Sequence, residues 1–238
     1  MSESSIHVGH ETLRRFEQAQ NYNRWIADTL RPHVGRRVLE IGAGIGNLSE
    51  LFLDSERLVL SDAETHYIAL LRARFAGQPH VHAVHYDVSQ TPPVELLAEL
   101  FDTVICLNVI EHVQDDVQAL RHIRDLLQPG GYALLLAPAH PWLYCKLDVN
   151  LGHYRRYSRT DFRRQITATG MEIQDDFYFN PAAIFGWFVM GKLLGRAVVP
   201  DTPLRGFDRA VPLLRTLPLR RPPIGISVIA IAKRPAGH

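Results

Sequence analysis

A short apolar strand pattern runs directly into a glycine-rich turn at residues 38–48, VLEIGAGIGNL. Glycine allows the backbone to approach a ligand where a Cβ atom would collide. The helix start that follows offers free N–H groups and a positive dipole end, so a small polar or anionic group can dock there. Glu40 lies two positions before Gly42. Its carboxylate is unfavourable for a pyrophosphate but suits a cationic ligand.

Strand and helix patterns alternate through the middle of the chain. Strands are predicted at residues 37–41, 57–61, 81–86, 103–107 and 132–137, and helices at residues 47–54, 64–75, 94–100 and 115–127. This alternation predicts right-handed crossovers and a parallel sheet. Further on, a helix is predicted at 158–169, where Ser158 and Asp161 form a variant of the capping box. Strands are predicted at 171–179 and 224–232, and one or two helices before the first strand.

The composition excludes several protein classes. Hydrophobic residues make up 46% of the 238 residues and the formal net charge is +1, so no global signal for nucleic-acid binding exists. Two cysteines imply no disulfide framework and favour a reducing compartment. Residues 1–9 lack the apolar centre of a signal peptide, and no uncharged apolar run reaches membrane-spanning length. We therefore expect a cytoplasmic location.

Acidic residues follow the predicted strands at positions that suit a nucleoside. Asp62 comes at the end of the second strand, 18 positions beyond Gly44, where a carboxylate can accept hydrogen bonds from both ribose hydroxyls. Asp87 follows the third strand, where a carboxylate can reach an adenine amino group. The fourth strand leads into residues 108–113, NVIEHV. All these strand ends lie at the carboxyl edge of the sheet, which is where open α/β folds bind ligands.

These motifs together resemble the class I S-adenosylmethionine-dependent methyltransferases. The resemblance rests on VLEIGAGIGNLS, Asp62, Asp87, FDTVICLNVIEHV and LLQPGGYALLLAP, and it covers residues 38–138 and the last two strands. It implies an α/β fold with a seven-stranded, mostly parallel, Rossmann-like sheet, whose antiparallel last strand lies beside the fifth. The implied organisation is a single methyltransferase domain over residues 1–238. Its parts are an N-terminal helical cap (1–35), a cofactor-binding core (36–138), a substrate loop (139–157) and a helical insertion (180–223).

The resemblance also implies S-adenosyl-L-methionine as the cofactor and roles for individual residues. Glu40 and the glycine turn would hold the methionine portion. Asp62 would bind the ribose hydroxyls, Asp87 and the backbone of Val88 the adenine, and Asn108 would line the sulfonium end. The candidate cofactor-binding residues are Tyr22, Glu40, Gly42, Gly44, Gly46, Asn47, Asp62, Ala63, Asp87, Val88, Asn108 and His112.

A narrower resemblance concerns residues 152–158, GHYRRYS, after His140-Pro141-Trp142. It is similar to a subgroup of bacterial methyltransferases, some of which act on glycan, lipid-linked or secondary-metabolite substrates. In that subgroup a segment like residues 22–25 (YNRW) can cover the cofactor. His140 and His153 are the candidate catalytic bases for a hydroxyl acceptor. The candidate substrate-binding residues are Trp142, Tyr144, Tyr154, Arg155 and Arg156. The alternative is that these histidines, arginines and tyrosines only pack or brace the loop.

Two further segments leave alternatives open. Residues 181–199 are apolar, with Lys192 and Arg196 four positions apart. They form either a lid over the substrate pocket or an interfacial helix that meets anionic lipids, in which case peripheral membrane contact through 181–223 is expected. His80, His82 and His85 cannot converge on one ion, because on a strand the first two face away from the third. We predict no metal site.

We therefore predict methyl transfer by in-line displacement to an oxygen, nitrogen or carbon, with a hydroxyl favoured. Most of the rate enhancement would come from alignment, because the leaving group is already activated. The acceptor would be a small molecule, a glycan or a lipid-linked compound, with no nucleic-acid partner. The oligomeric state stays open. One alternative is a nicotinamide-dependent oxidoreductase, which Glu40 and Asp87 argue against. The other is a related protein that binds the cofactor without turnover.

Overall fold

The structure of the chain, a computed structural model, describes residues 13–15, 17–193, 201–216 and 221–237. Within these residues, seven strands form one sheet. The strands are β1 (Arg37–Ile41), β2 (Arg57–Asp62), β3 (Val81–His85), β4 (Phe101–Leu107), β5 (Leu127–Pro138), β6 (Glu172–Phe179) and β7 (Ser227–Lys233). Their order across the sheet is β3-β2-β1-β4-β5-β7-β6.

The strand directions match the predicted Rossmann-like methyltransferase sheet. Each neighbouring pair from β3 to β5 is parallel. The last strand, β7, is antiparallel to both β5 and β6, and it lies between them. The predicted fold class is therefore confirmed, including the position of the last strand beside the fifth.

Helices cover both faces of the sheet and connect its strands. They are α1 (Gln20–Leu30), α2 (Thr65–Arg74), α3 (Val94–Glu99), α4 (Asp116–Leu126), α5 (Lys146–Leu151), α6 (Arg159–Thr167), α7 (Ala182–Trp187) and α8 (Asp201–Leu214). Ser158 begins α6 as predicted, because its hydroxyl oxygen accepts the N–H of Asp161 at 3.0 Å. Asp115 caps α4 in the same way through the N–H of Gln118.

Three segments differ from their predictions. Residues 47–54 were predicted to be a helix, but they contain only a single 3-10 turn, Ser49–Phe52. The glycine turn before it and the start of β2 at Arg57 limit the room for a longer helix, and Asn47 and Ser49 are weak helix formers. The region 140–157, predicted to be a loop, contains a 3-10 turn (Pro141–Leu143) and α5. Finally, β5 begins at Leu127 rather than at residue 132.

Apolar side chains form a core on each face of the sheet. Leu39 and Ile41 face one core, where they join α4 and α6. Val38 faces the other core, which includes side chains of α1, α2 and α8. This alternation along β1 follows from the two-residue period of a strand. Because both faces are covered, the ligand-binding surface is left at the carboxyl ends of the parallel strands.

The C-terminal part of the chain packs back on the first helix. The buried Asp208 on α8 accepts the backbone N–H of Tyr22 at 2.9 Å and the side-chain amide of Asn21 at 3.1 Å. Ala19, which precedes α1, provides no side-chain cap of its own. The N–H groups in the first turn of a helix lack partners within the helix. Asp208 on α8 therefore provides the acceptor for one of these N–H groups of α1.

The predicted insertion 180–223 contains α7, a π-helical turn (Phe188–Leu193) and α8. Residues 194–200 and 217–220, and with them Arg196, lie outside the described residues. Among the helices that the structure describes, none is both long and apolar enough to cross a membrane.

Candidate active site

The carboxyl ends of β1, β2 and β4 reach the same level of the sheet. Ile41, the last residue of β1, is paired with Ser61 on one side and with Cys106 on the other. The glycine turn after β1, the end of β2 and the segment after β4 therefore leave the sheet side by side. This register brings the predicted cofactor residues from three separate strands to one edge.

The glycine turn has backbone conformations that require glycine. Gly42, Gly44 and Gly46 have φ values of +73°, +56° and +85°. A Cβ atom on Gly42 would lie 2.3 Å from the side chain of Val109, and one on Gly44 would lie 2.9 Å from Leu13. The turn is thus held between the β4 segment and the N-terminal segment. Any residue other than glycine would be strained here.

Glu40 is a buried carboxylate directly beneath this turn. It is 5% exposed, and the hydroxyl of Ser49 donates a hydrogen bond of 2.6 Å to its Oε2 atom. Burial raises the pKa of Glu40 to about 7, against the effect of the Ser49 hydrogen bond, and the nearby Asp62 adds to the increase. A buried carboxylate of this kind favours a positively charged partner.

Asp62 connects the end of β2 to the glycine turn. Its Oδ2 atom accepts the N–H of Gly44 at 2.9 Å, and its Oδ1 atom accepts the N–H of Glu64 at 3.0 Å. Burial raises the pKa of Asp62 and these two hydrogen bonds lower it. Each carboxylate oxygen keeps acceptor capacity beyond one bond, so both ribose hydroxyls of a nucleoside have acceptors here.

The remaining candidate cofactor residues surround the same edge. Asp87 accepts the N–H of Ser89 at 2.8 Å in a tight turn, and the buried Val88 follows it. Ala63 and Asn108 are exposed at the ends of β2 and β4. Asn108 has a φ of +54°, a conformation that asparagine tolerates better than most residues.

Asn47, Tyr22 and His112 contact other parts of the chain. The Asn47 amide donates to the backbone oxygen of Leu13 at 2.9 Å, so it holds the N-terminal segment over the turn. Tyr22 is buried against Phe179 and Phe207. His112 lies on a 3-10 turn after β4, with its ring against His153 at a centroid distance of 4.7 Å.

His140 occupies a strained position at the end of β5. Its φ of +62° is uncommon for a residue other than glycine, and such strain is concentrated at functional sites. The ring stacks on Tyr178 at 4.6 Å. Among the described residues, its buried Nε2 atom has no hydrogen-bond partner. Burial and the charge of Arg156 both lower the pKa of His140, so the ring is neutral at pH 7.

The two arginines of the GHYRRYS segment are bound to protein carboxylates. Arg155 contacts Asp116 at 2.6 Å. Arg156 is buried, donates to Asp148 at 2.7 Å and lies over the ring of Trp187 at 4.5 Å. These contacts give both side chains a bracing role in the loop.

The aromatic residues of the loop differ in exposure. Trp142 and Tyr154 are more than half exposed, at 56% and 57%. Tyr144 is partly buried and donates to the backbone oxygen of His153 at 2.7 Å. The exposed pair is therefore better placed to meet an acceptor than the paired arginines are.

Two residues that the sequence analysis did not select organise this loop. Asp148 accepts hydrogen bonds from Arg156, from His153 Nδ1 at 2.9 Å and from the N–H of Cys145 at 2.9 Å. The spacing of Cys145 and Asp148 is that of a capping box, and it was the only sequence signal for Asp148. Glu111, in the segment after β4, is fully buried beside His153.

Comparison with known proteins finds methyltransferases. A family model described as a methyltransferase domain matches residues 39–133. The ubiquinone biosynthesis O-methyltransferase of Paracidovorax citrulli is 37% identical over 115 residues, which are 45% of this chain and 45% of that protein. The chain spans about half the length of the first curated relatives that it matches.

A longer match and a solved structure extend this comparison. The ubiquinone biosynthesis O-methyltransferase of Aeromonas salmonicida is 31% identical over 194 residues, which cover 71% of this chain and 76% of that protein. The trans-methyltransferase CalH, solved in complex with SAH, superimposes with a TM-score of 0.58 at 19% identity, over 92% of this chain and 58% of that one. The chain belongs to the class I S-adenosylmethionine-dependent methyltransferases.

Proposed function

We propose that this chain transfers the methyl group of S-adenosyl-L-methionine to a hydroxyl oxygen of a small-molecule, glycan or lipid-like acceptor. The observation that carries the proposal is His140, a neutral histidine with a free ring nitrogen at the carboxyl edge of β5. A hydroxyl needs a base at neutral pH, and a neutral imidazole can provide one. The two relatives described above, both O-methyltransferases by name, support an oxygen acceptor.

The residues of the glycine turn fit the cofactor. The buried Glu40 and Asp62 provide two carboxylates where a ligand with ammonium and sulfonium charges and a ribose diol would lie. When bound, the cofactor supplies an activated methyl group on its sulfur. The contribution of the chain is to orient this group and to exclude water, since proximity and alignment provide most of the rate enhancement.

Of the two candidate bases, we assign proton removal to His140. Its Nε2 atom can accept a proton, whereas the Nδ1 atom of His153 is held by Asp148 and its Nε2 atom lies 4.0 Å from Glu111. Because the His140 nitrogen is buried, neighbouring side chains have to move when the acceptor enters, and the Trp142 ring lies 5.7 Å from the His140 ring. We infer that Trp142 and Tyr154 contact the acceptor directly and that Arg155 and Arg156 hold the loop in place.

The proposal is tested by incubating the full chain with S-adenosyl-L-methionine and a panel of hydroxylated acceptors. Formation of S-adenosylhomocysteine and of a product heavier by one methylene group is measured by mass spectrometry. We expect His140→Gln to lower kcat by about 100-fold or more, the usual contribution of a general base, with the cofactor affinity unchanged. The exposed His82→Gln provides a matched control. Equal turnover in the two variants would exclude His140 as the base.

A second experiment separates cofactor binding from turnover. Asp62→Ala removes the acceptor for the ribose hydroxyls, so we expect calorimetry to show a loss of cofactor affinity of about tenfold or more. If neither S-adenosyl-L-methionine nor S-adenosylhomocysteine binds the unmodified chain, the proposal fails. Tight binding with no transfer to any acceptor would instead support a non-catalytic role.

We propose further that the segment from α7 to the π-helical turn forms a wall of the acceptor pocket and meets a lipid surface. Its inner side packs on the loop, since Phe188 contacts Trp142 and Trp187 lies against Arg156. Phe185 (76%) and Lys192 in the same segment are exposed. Exposed aromatic and lysine side chains are typical of interfacial helices. In this proposal a cytoplasmic protein binds the membrane peripherally.

The lipid contact is tested by co-sedimentation with vesicles that contain phosphatidylglycerol. We expect binding at low salt that weakens as salt is added, because lysine attraction to anionic lipid is screened. Phe185→Ser should reduce the bound fraction, and Val94→Ser, an exposed apolar position on α3, should not. No pelleting at low salt would contradict the proposal. In that case the segment acts only as a pocket wall.

We also retain the predicted organisation as a proposal. The chain works as one methyltransferase domain, in which residues 1–35 cap the cofactor-binding core at 36–138. The loop at 139–157 and the insertion at 180–223 surround the acceptor. The likeness of the GHYRRYS segment to a bacterial subgroup supports a glycan or lipid-linked acceptor over a macromolecular one.

A further inference from the structure

A second cluster of polar side chains lies beside the loop that carries His140. Glu111 and His112 belong to the 3-10 turn after β4 (Ile110–His112), and His153 follows α5. The backbone joins the two segments, because the N–H of Tyr154 donates to the backbone oxygen of Glu111 at 2.8 Å. Each of the three side chains offers one ligand atom, and these atoms all lie within 4.8 Å of one another.

Three polar atoms of this cluster lack hydrogen-bond partners in the part of the chain that the structure describes. Both carboxylate oxygens of Glu111 are buried without a hydrogen bond, and so is the Nδ1 atom of His112. An isolated buried carboxylate is costly unless it is paired, protonated or bound to a metal. A carboxyl group that is buried in this way either keeps a proton or binds a cation.

The distances between the side-chain atoms of this cluster favour a bound cation over direct hydrogen bonds. His153 Nε2 lies 4.0 Å from Glu111 Oε1, which is too far for a hydrogen bond. Two ligands that each lie about 2.1 Å from one tetrahedral Zn²⁺ are about 3.4 Å apart. Small side-chain rotations would bring these atoms to that separation. The rings of His112 and His153 are nearly perpendicular, at 88°, so they do not stack face to face.

The surroundings of His153 resemble those of a metal ligand. Its Nδ1 atom is bonded to Asp148 at 2.9 Å, which fixes the ring and turns Nε2 toward Glu111. Histidines that bind metals usually donate their other ring nitrogen to a carboxylate or carbonyl in this way. Asp148 is held in turn by Arg156 and by the N–H of Cys145. The second nitrogen is thus oriented before any ion binds.

We propose that Glu111, His112 and His153 form a binding site for a divalent transition-metal ion of the Zn²⁺ type. Two imidazoles and one carboxylate are the ligand set of several catalytic zinc sites, with a fourth position open for water or an oxygen ligand. Mg²⁺ and Ca²⁺ fit less well, because they prefer sets made only of oxygen atoms. The test of ion binding does not require methyl transfer, so this inference and the proposed function can fail separately.

The test measures ion binding to the full, tag-free chain after treatment with EDTA and removal of the chelator. Co²⁺ is the probe, because four-coordinate Co²⁺ absorbs visible light strongly. We expect saturable binding of one Co²⁺ per chain, with this absorption, and displacement by Zn²⁺. His153→Gln and Glu111→Gln should each weaken binding by about tenfold or more. His82→Gln, an exposed histidine on β3, should bind as the unmodified chain does.

Circular dichroism and calorimetry of cofactor binding show whether each variant is folded. If both ligand variants fail to fold, the titration of the unmodified chain decides the question by its stoichiometry and absorption spectrum. The proposal is overturned if the unmodified chain takes up no Co²⁺ saturably, or if its spectrum is that of a six-coordinate surface ion. It is also overturned if folded His153→Gln binds Co²⁺ as tightly as His82→Gln does.

Discussion

At the scale of single residues, Glu40 links the protonation of the chain to cofactor binding. Its pKa of about 7 means that the carboxyl group of the free protein is partly protonated at neutral pH. A cationic ligand binds the ionised form, so we expect the cofactor affinity to rise between pH 6 and 7.5 and protons to be released on binding. Calorimetry in two buffers of different ionisation enthalpy measures this release.

Two variants sharpen the Glu40 prediction. Glu40→Gln should remove the pH dependence and weaken cofactor binding by about 10- to 100-fold, the value of a hydrogen bond to a charged group. Ser49→Ala removes the donor that favours the ionised carboxylate, so the affinity should rise at a higher pH than in the unmodified chain. A flat affinity profile without proton release would contradict the role of Glu40.

The same carboxyl group should make the folded chain less stable as the pH rises, although cofactor affinity increases over the same range. Its pKa is raised from 4.5 to about 7 in the folded chain, so the folded state binds the proton more tightly than the unfolded state does. Its contribution to the free energy of unfolding is present below pH 4.5 and is lost as the pH rises through 7. Glu40→Gln without cofactor should therefore be more stable than the unmodified chain at pH 8, as urea unfolding would show.

His140 makes a separate prediction about the rate. Burial and the charge of Arg156 lower its pKa, and the stacked Tyr178 ring contributes to that burial. A base has to be unprotonated, so kcat should fall on the acid side with a midpoint below about 6.5, the ordinary histidine value. In His140→Gln this limb should disappear from the residual activity. If the acid limb of the kcat profile persists unchanged in His140→Gln, a group other than His140 causes it.

The positions of the candidate cofactor residues at the strand ends were predictable from the sequence, and the pairing of the loop arginines was not. Glu40, the glycines and Asp62 are defined by their places at strand ends, which local sequence patterns reveal. The partners of Arg155 and Arg156 are Asp116 and Asp148, which belong to other elements. Whether an arginine binds a substrate or a protein carboxylate depends on such long-range pairing, and a single sequence carries no sign of it.

At the scale of elements, β1, β2, β4 and β7 were predicted well because they are mostly buried, mainly apolar runs. The error at β5 has a local cause. Pro129-Gly130-Gly131 has the composition of a turn, yet Gly130 donates its N–H to Arg234 at 2.9 Å and continues the sheet toward β7. A Cβ atom on Gly131 would lie about 3.0 Å from three backbone oxygens. Close backbone approach, and not a turn, is the reason for glycine at this position.

The predicted capping residue of α6 can be tested directly. The Ser158 hydroxyl accepts the N–H of Asp161 and donates to its carboxylate at 2.6 Å. We expect Ser158→Ala to lower the free energy of unfolding by about 1 kcal/mol, because one N–H of the first turn loses its partner. Thr160→Ala, an exposed position in the same turn, is the control. If urea unfolding gives the same free energy of unfolding for the two variants, the Ser158 cap does not stabilise the chain.

At the scale of the whole molecule, α1 and α8 contact each other although they are far apart in the sequence. Asp208 and Tyr22 are 186 positions apart, yet they share a hydrogen bond. Arg215 on α8 also pairs with Asp28 on α1 at 2.7 Å. Helix α1 in turn follows the segment that carries Leu13 onto the glycine turn. The β7 position was predictable by family resemblance, but this contact between α1 and α8 was not, because it depends on an insertion of irregular helices.

This connection predicts that a residue far from the cofactor affects its binding. Asp208→Ala leaves the N–H of Tyr22 without its side-chain acceptor and leaves the Asn21 amide only the backbone oxygen of residue 208, so α1 should lose about 1 kcal/mol of stabilisation. Hydrogen exchange should then become faster in residues 20–30. Because α1 positions the segment over Gly44, cofactor affinity should fall several-fold. Asp208→Asn keeps one acceptor oxygen and should lie between Asp208→Ala and the unmodified chain.

The neighbouring Arg209 is exposed on the same helix, so Arg209→Ala tests whether any change in α8 has this effect. We expect exchange in α1 and cofactor affinity to be unchanged in that variant. The seven-stranded sheet is packed between two cores of its own, so hydrogen exchange in the strands should stay slow in both variants. If Asp208→Ala accelerates exchange in α1 without a change in cofactor affinity, the N-terminal segment covers the glycine turn but does not contribute to binding.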